Sequence, residues 1–195
     1  MFSIIAVTDT IPSGFLQQIG KIANSQVNSI ILREKDLSPK HYRDLALEVK
    51  ALCKDRGIEL IIHNHPDLAL ELGLPLHLPW DLFAGLSRKG IIKANFGVSV
   101  HSPEEAYLAI KHGASWLVAG HIFPVKSKNK EPRGVRFLSE ICIMSRLPVY
   151  GIGGINVQNI RKIAESGAAG ACLMSSLMQS PDPAGFVKEL LVNIS

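Results

Sequence analysis

The stretch PVYGIGGINVQNIRKIAESGAAGACLMSSLM, from Pro148 to Met178, decides the fold. It reads as strand, glycine turn, helix, strand and turn. Pro148-Val-Tyr-Gly-Ile is a short apolar strand, and Gly153-Gly154 frees the backbone to approach an anion. Asn156 is positioned to N-cap a helix whose apolar positions are Val157, Ile160, Ile163 and Ala164, and Gly167 ends that helix. A second apolar strand, Ala168 to Met174, runs into Ser175-Ser176, where backbone N–H groups and hydroxyls can complete an anion nest. Two such turns in succession match the phosphate-binding end of a (β/α)8 barrel, formed by the last two strand-to-helix turns.

The same unit recurs upstream. Asp55-Arg56-Gly57, Glu71-Leu72-Gly73, Lys89-Gly90, Lys111-His112-Gly113 and Glu165-Ser166-Gly167 each close a helix shortly before an apolar strand. The predicted strands are Ser3 to Val7, Asn28 to Arg33, Glu59 to His63, Leu76 to Leu78, Asn95 to Val100, Trp116 to Ala119, Val149 to Ile152 and Ala171 to Met174. Helices between them open on Ser38-Pro39, on the capping box Ser102-Pro103-Glu104-Glu105 and on Asp182-Pro183. Eight alternating units favour a closed α/β barrel, a (β/α)8 TIM barrel, over an open doubly wound sheet of about five strands. The chain, residues 1–195, is most simply one domain, and its 47% hydrophobic content supports a sizeable core.

Composition narrows the function. A net charge of +4 and a pI near 9.0 suit an anionic ligand, but the basic residues are scattered except between Lys126 and Arg136, which argues against a nucleic-acid partner. No apolar run approaches the ~20 residues that span a bilayer, so no membrane partner is expected. Cys53, Cys142 and Cys172 sit in apolar patterns without CxxC spacing and read as reduced core residues of a cytoplasmic protein.

In a barrel of this kind the chemistry gathers where strands end. The residues there are Thr8-Asp9, Arg33-Glu34-Lys35, His63-Asn64-His65, Ser99-Val100-His101, Gly120-His121, Gly153-Gly154 and Ser175-Ser176. His121 projects at the mouth between Gly120 and Ile122, where an imidazole can take or give a proton, although a histidine bonded to a loop carbonyl reads the same way. Alternation predicts Arg33 and Lys35 on one face, free to meet a ligand anion, and Glu34 on the other; a structural ion pair is equally compatible. His63-x-His65 lacks the further ligands a metal site requires, so neither a metal nor a cofactor is expected. The basic loop of Lys126, Lys128, Lys130 and Arg133 either gathers an anion or is simply solvated. Trp80 and Trp116 read as packing residues.

VTD (7–9), ILREK (31–35), IIHNHPDLAL (61–70), FGVSVH (96–101), GHIFP (120–124) and PVYGIGGI (148–155) occur in an order that resembles the thiamine phosphate synthase and thiazole tautomerase (TenI) superfamily. The resemblance implies a TIM barrel acting on a thiazole phosphate. Synthases of that group join a pyrimidine diphosphate to the thiazole phosphate with magnesium; the tautomerases aromatise the thiazole phosphate alone. The chain departs from the synthase pattern at Ile31, at His63-Asn64 and at Leu78-Pro79-Trp80, with Asp81 one position from the second expected acid, while Gly120-His121 is the tautomerase form. The resemblance therefore implies a thiazole tautomerase with His121 as base. Gly153, Gly154, Ser175 and Ser176 would hold the phosphate, Arg33 or Lys35 would meet the ring carboxylate, and Ser99 would line the site. It further implies a homodimer joined through exposed helices. A magnesium-dependent synthase and a non-catalytic phosphate sensor are the alternatives.

Overall fold

The structure, a computed structural model, describes residues 2–9, 13–87, 95–125 and 131–194. Eight parallel strands close on themselves in sequence order: β1 (Ser3–Val7), β2 (Ser29–Leu32), β3 (Glu59–His63), β4 (Leu76–Leu78), β5 (Phe96–Val100), β6 (Trp116–Gly120), β7 (Val149–Ile152) and β8 (Gly170–Leu173). Helices α1 (Phe15–Ala23), α2 (Pro39–Lys54), α3 (Pro66–Leu72), α4 (Trp80–Ser87), α5 (Pro103–Lys111), α6 (Gly134–Met144) and α7 (Ile160–Glu165) fill the successive connections. The short α8 (Ser175–Met178) and then α9 (Pro183–Val192) follow β8. This is the (β/α)8 barrel that the glycine punctuation predicts, including the three-residue β4. Lys89-Gly90 and the basic positions Lys126, Lys128 and Lys130 lie outside the described residues.

Period-two alternation sorts each strand into two cores. Ile4, Ala6, Ile30, Leu32, Leu60, Ile62, Leu76, Leu78, Val98, Leu117 and Ala171 point outward and pack under the helices. Ile5, Val7, Ile31, Ile61, Trp116, Val118 and Cys172 point inward and form a second cluster with Tyr150 and Ile152. Serine and aspartate caps hold as expected: Ser38 accepts from His41 N at 3.3 Å, Ser102 from Glu105 N at 3.2 Å and Asp182 from Gly185 N at 3.0 Å.

Three local expectations are corrected. Asn28 lies outside β2 because its side chain bridges strands, its Oδ1 accepting from Ile4 N at 2.9 Å. Asn156 opens a turn rather than capping α7: its Oδ1 accepts from Gln158 N, its own N–H donates to Asn159 Oδ1, and the helix begins only at Ile160. Glu105 completes half a capping box; its carboxylate reaches past Ser102 to accept from His101 N at 2.6 Å.

Candidate active site

The C-terminal ends of the strands enclose a cavity of about 1060 Å³. Arg33, Lys35, Ser99, His121, Gly153, Gly154, Ser175 and Ser176 all line it. Residues from β2, β5, β6, β7 and β8 thus converge on one space, as expected where parallel strands deliver their carboxyl ends to a common rim.

His121 directly follows β6 and is 6% exposed. Its position depends on the neighbouring turn. Gly153, at φ +100°, lies so close that a Cβ there would collide with His121 Cβ, and a Cβ on Gly154 would come within 2.5 Å of Pro124 O. Backbone bonds stitch the two segments together: Ile122 N donates to Ile152 O at 2.9 Å and Phe123 N to Gly153 O at 3.0 Å. On the other side of the loop, Arg133 N donates to His121 O at 2.9 Å. Asn159 Nδ2 donates to Gly154 O at 2.9 Å, bracing the turn from below. The glycines therefore serve two ends, opening the turn and admitting the imidazole-bearing loop.

The stretch after β2 differs from the alternation expected of it. Arg33, Glu34 and Lys35 all line the cavity, because the strand ends at Leu32 and its two-residue period ends with it. Glu34 is 5% exposed and accepts from Thr8 Oγ1 at 2.7 Å, while the same hydroxyl oxygen accepts from Arg33 N at 2.8 Å. Arg33 Nη1 lies 3.5 Å from Asp9 Oδ1. One threonine thus ties β1 to the β2 loop and satisfies a buried carboxylate oxygen.

His63 and His65 do not act as a pair. His63 points into the barrel with its ring 6.0 Å from that of His77, whereas the His65 ring packs 4.0 Å from Tyr42. Burial holds His63 neutral, pushing its pKa down to about 3, with His77, Arg33, Lys35 and His65 adding to the effect. Burial likewise pushes His77 down to about 4 and raises the Cys172 thiol far from the thiolate range. His101 is tied by its Nδ1 to Glu105 Oε2 at 3.1 Å.

Magnesium favours carboxylate and phosphate oxygens in near-octahedral geometry. The acids lining the cavity are Glu34, already bonded to Thr8, and Asp81 in the first turn of α4; the end of β3 presents His63, Asn64 and His65. Among the described residues no group of three or more His, Cys, Asp or Glu could hold a metal ion. Glu34 and Asp81 are thus the two carboxylates the cavity presents among the described residues.

Sequence reasoning missed His77 and turned Glu34 away from Arg33 and Lys35; Asn64, on the predicted rim, has a φ of +67° and donates its N–H to His77 O at 3.0 Å. His77 carries a signal in retrospect: a lone histidine between Leu76 and Leu78 in a strand must face the barrel interior. No helix among the described residues is long and apolar enough to cross a membrane.

Comparison with known proteins identifies the family to which the barrel belongs. The model of the TMP-TENI family, described as thiamine monophosphate synthase, matches residues 4–177. A thiamine-phosphate synthase of Desulfitobacterium hafniense is 35% identical over 198 residues, covering 97% of this chain and 96% of its own. A thiamine-phosphate synthase of Syntrophomonas wolfei is 31% identical over 197 residues, covering 97% and 94%. Among solved structures, thiamine phosphate pyrophosphorylase from Pyrococcus furiosus superposes with a TM-score of 0.84 over 99% of this chain and 95% of that one, at 23% identity. With a family match over most of its length and relatives above 30% identity along nearly all of it, the chain belongs to the TMP-TENI family.

Proposed function

We propose that the protein is an enzyme of thiamine biosynthesis that isomerises a 2-carboxy-4-methyl-thiazol-5(2H)-ylidene ethyl phosphate to the aromatic thiazole phosphate. The observation that carries this reading is the buried His121 imidazole on the wall of a cavity that also contains the Gly153-Gly154 turn. The phosphate would rest on N–H groups around Gly153-Gly154 and Ser175-Ser176. Arg33 and Lys35 line the same cavity from the loop after β2, across the barrel from β6, available to a ring carboxylate.

The reaction is a proton shift with no net change in atoms. The C2–H bond breaks as His121 takes the proton, the electron pair moves through the ring, and a C–H bond forms at the exocyclic carbon. His121 then returns the proton there. Aromaticity supplies the driving force, so positioning and one proton carrier suffice. Nothing in this step calls for a metal ion.

The relatives' names favour a second reading. Thiamine-phosphate synthases are the 35% and 31% identical relatives, and such an enzyme would release diphosphate on joining a pyrimidine diphosphate to the thiazole phosphate. One assay separates the two. The tautomerase aromatises the thiazole precursor in EDTA and loses about 10²-fold or more in kcat on His121→Asn. A synthase releases diphosphate only with magnesium and both substrates. Wild-type protein that leaves the precursor unchanged ends the tautomerase reading.

A further inference from the structure

A polar side chain outside the cavity grips the segment that carries Ser175 and Ser176. Gln18 lies on α1, where Phe15, Gln18, Ile19 and Ile22 share one face at the spacing of a buried helical stripe. Phe15, Ile19 and Ile22 pack into the outer core. An amide at a position that the stripe would give to an apolar side chain requires hydrogen-bond partners. Gln18 Nε2 finds them 159 and 162 residues away, donating to Leu177 O at 3.2 Å and to Ser180 O at 2.8 Å. Both hydrogens of the amide are thereby used.

The receiving segment needs such a clasp. α8 is a single turn of four residues, too short to be held by its own hydrogen bonds, and among the described residues no side chain caps its start. In a continuing helix Leu177 O would accept from residue 181, but that residue is proline and has no N–H. Ser180 N reaches Leu177 O only at 3.3 Å. Gln18 supplies the missing donor and serves Ser180 O as well. The turn is two-sided: Leu177 and Met178 are buried, whereas Ser175 and Ser176 are exposed and line the cavity. Fixing its far end fixes the direction in which the two serines present their N–H groups and hydroxyls.

We propose that Gln18 is a positioning residue: by clasping the C-terminal carbonyls of α8 it holds Ser175 and Ser176 in the arrangement that receives the phosphate monoester of the ligand. This rests on the phosphate placement of the proposed function, which the tautomerase and synthase readings share because each takes a thiazole phosphate. Gln18 itself reaches no ligand atom; its whole effect passes through α8.

The test compares three substitutions at this position. Gln18→Glu keeps the shape and removes both donors, Gln18→Met keeps the length without a polar head, and Gln18→Lys restores a donor able to reach the same carbonyls. Calorimetry measures binding of inorganic phosphate and of the aromatic thiazole phosphate to each folded variant. Gln18→Glu and Gln18→Met raise both dissociation constants about threefold to tenfold, because a loosened turn is competent to bind only part of the time. Gln18→Lys brings them back toward wild type. Hydrogen–deuterium exchange of the peptide containing α8 speeds up in the first two variants and not in the third. A packing role alone would lower urea midpoints and leave the phosphate affinity of folded protein as it was, so unchanged affinity in Gln18→Glu and Gln18→Met overturns the proposal, as does a loss that Gln18→Lys fails to repair. If Gln18→Glu does not fold, Gln18→Met decides. Wild-type protein that binds neither probe sinks the phosphate placement, and the exchange rates alone then uphold or overturn the clasp.

Discussion

From β7 round to β2 the inward side chains include Ile152, Cys172, Ile5, Val7 and Ile31, whereas from β3 to β6 they include His63, His77, Ser99 and Trp116. The first arc fills the barrel with aliphatic volume beside Tyr150. The second adds to Ile61 and Val118 a row of planar rings at one level, since the register pairs His63 with His77, His77 with Gly97 and Gly97 with Trp116. Gly97 makes this row work: a Cβ there would overlap the Trp116 indole, so its absence is what lets the indole lie across β5 toward His77. The first arc is packed for stability, and the second carries polar atoms inside the barrel at a cost in stability.

That contrast can be broken by substitution. The largest effect is expected in the aliphatic arc, where Ile5→Ala leaves a cavity with nothing to fill it and lowers the unfolding free energy by about 2–5 kcal/mol in urea titrations. Next is Gly97→Ala, which overpacks the ring row and costs about 1–3 kcal/mol. Its cost shrinks in a Trp116→Leu background; equal costs in both backgrounds would show that the indole is not the obstacle.

Acid should single out the polar arc. His63 and His77 have folded pKa values depressed to about 3 and about 4, so the unfolded chain takes up protons first. Stability is complete above the ordinary histidine pKa near 6.5 and is lost as pH falls toward 4, with up to about 1.4 kcal/mol per pH unit from each group. Urea midpoints between pH 7 and pH 5 measure that slope, and His77→Leu should reduce it. The smallest effect is that of His77→Leu at pH 7: removing an imidazole with an orphan nitrogen changes stability by less than about 1 kcal/mol. A loss as large as that of Ile5→Ala would mean that the two arcs are equivalent after all.

The barrel was legible because its cues are local. Glycines at helix ends, such as Gly73 at φ +63° and Gly167 at φ +87°, mark unit boundaries wherever they fall in the fold. The cavity-lining set was legible for the same reason, since a strand's last residue is visible in sequence. What sequence could not give was the face of a side chain once a strand had ended, which is why Glu34 was expected to point away from Arg33 and Lys35. The ring row was hidden because it depends on register: nothing in Leu76-His77-Leu78 or Phe96-Gly97-Val98 announces that a glycine two strands from His63 will let an indole through.

The hydrogen bonds from Ile122 and Phe123 to the end of β7 have a consequence for which molecules can be handled at all. They make the loop bearing His121 and the Gly153-Gly154 turn two jaws of one caliper, set by main-chain geometry. If the turn holds the phosphate as proposed, a guest whose anionic tail is one methylene too long or too short would offer the wrong atom to the imidazole, because main-chain bonds rather than side chains set the gap. Accepting such a guest would take a new loop between β6 and α6.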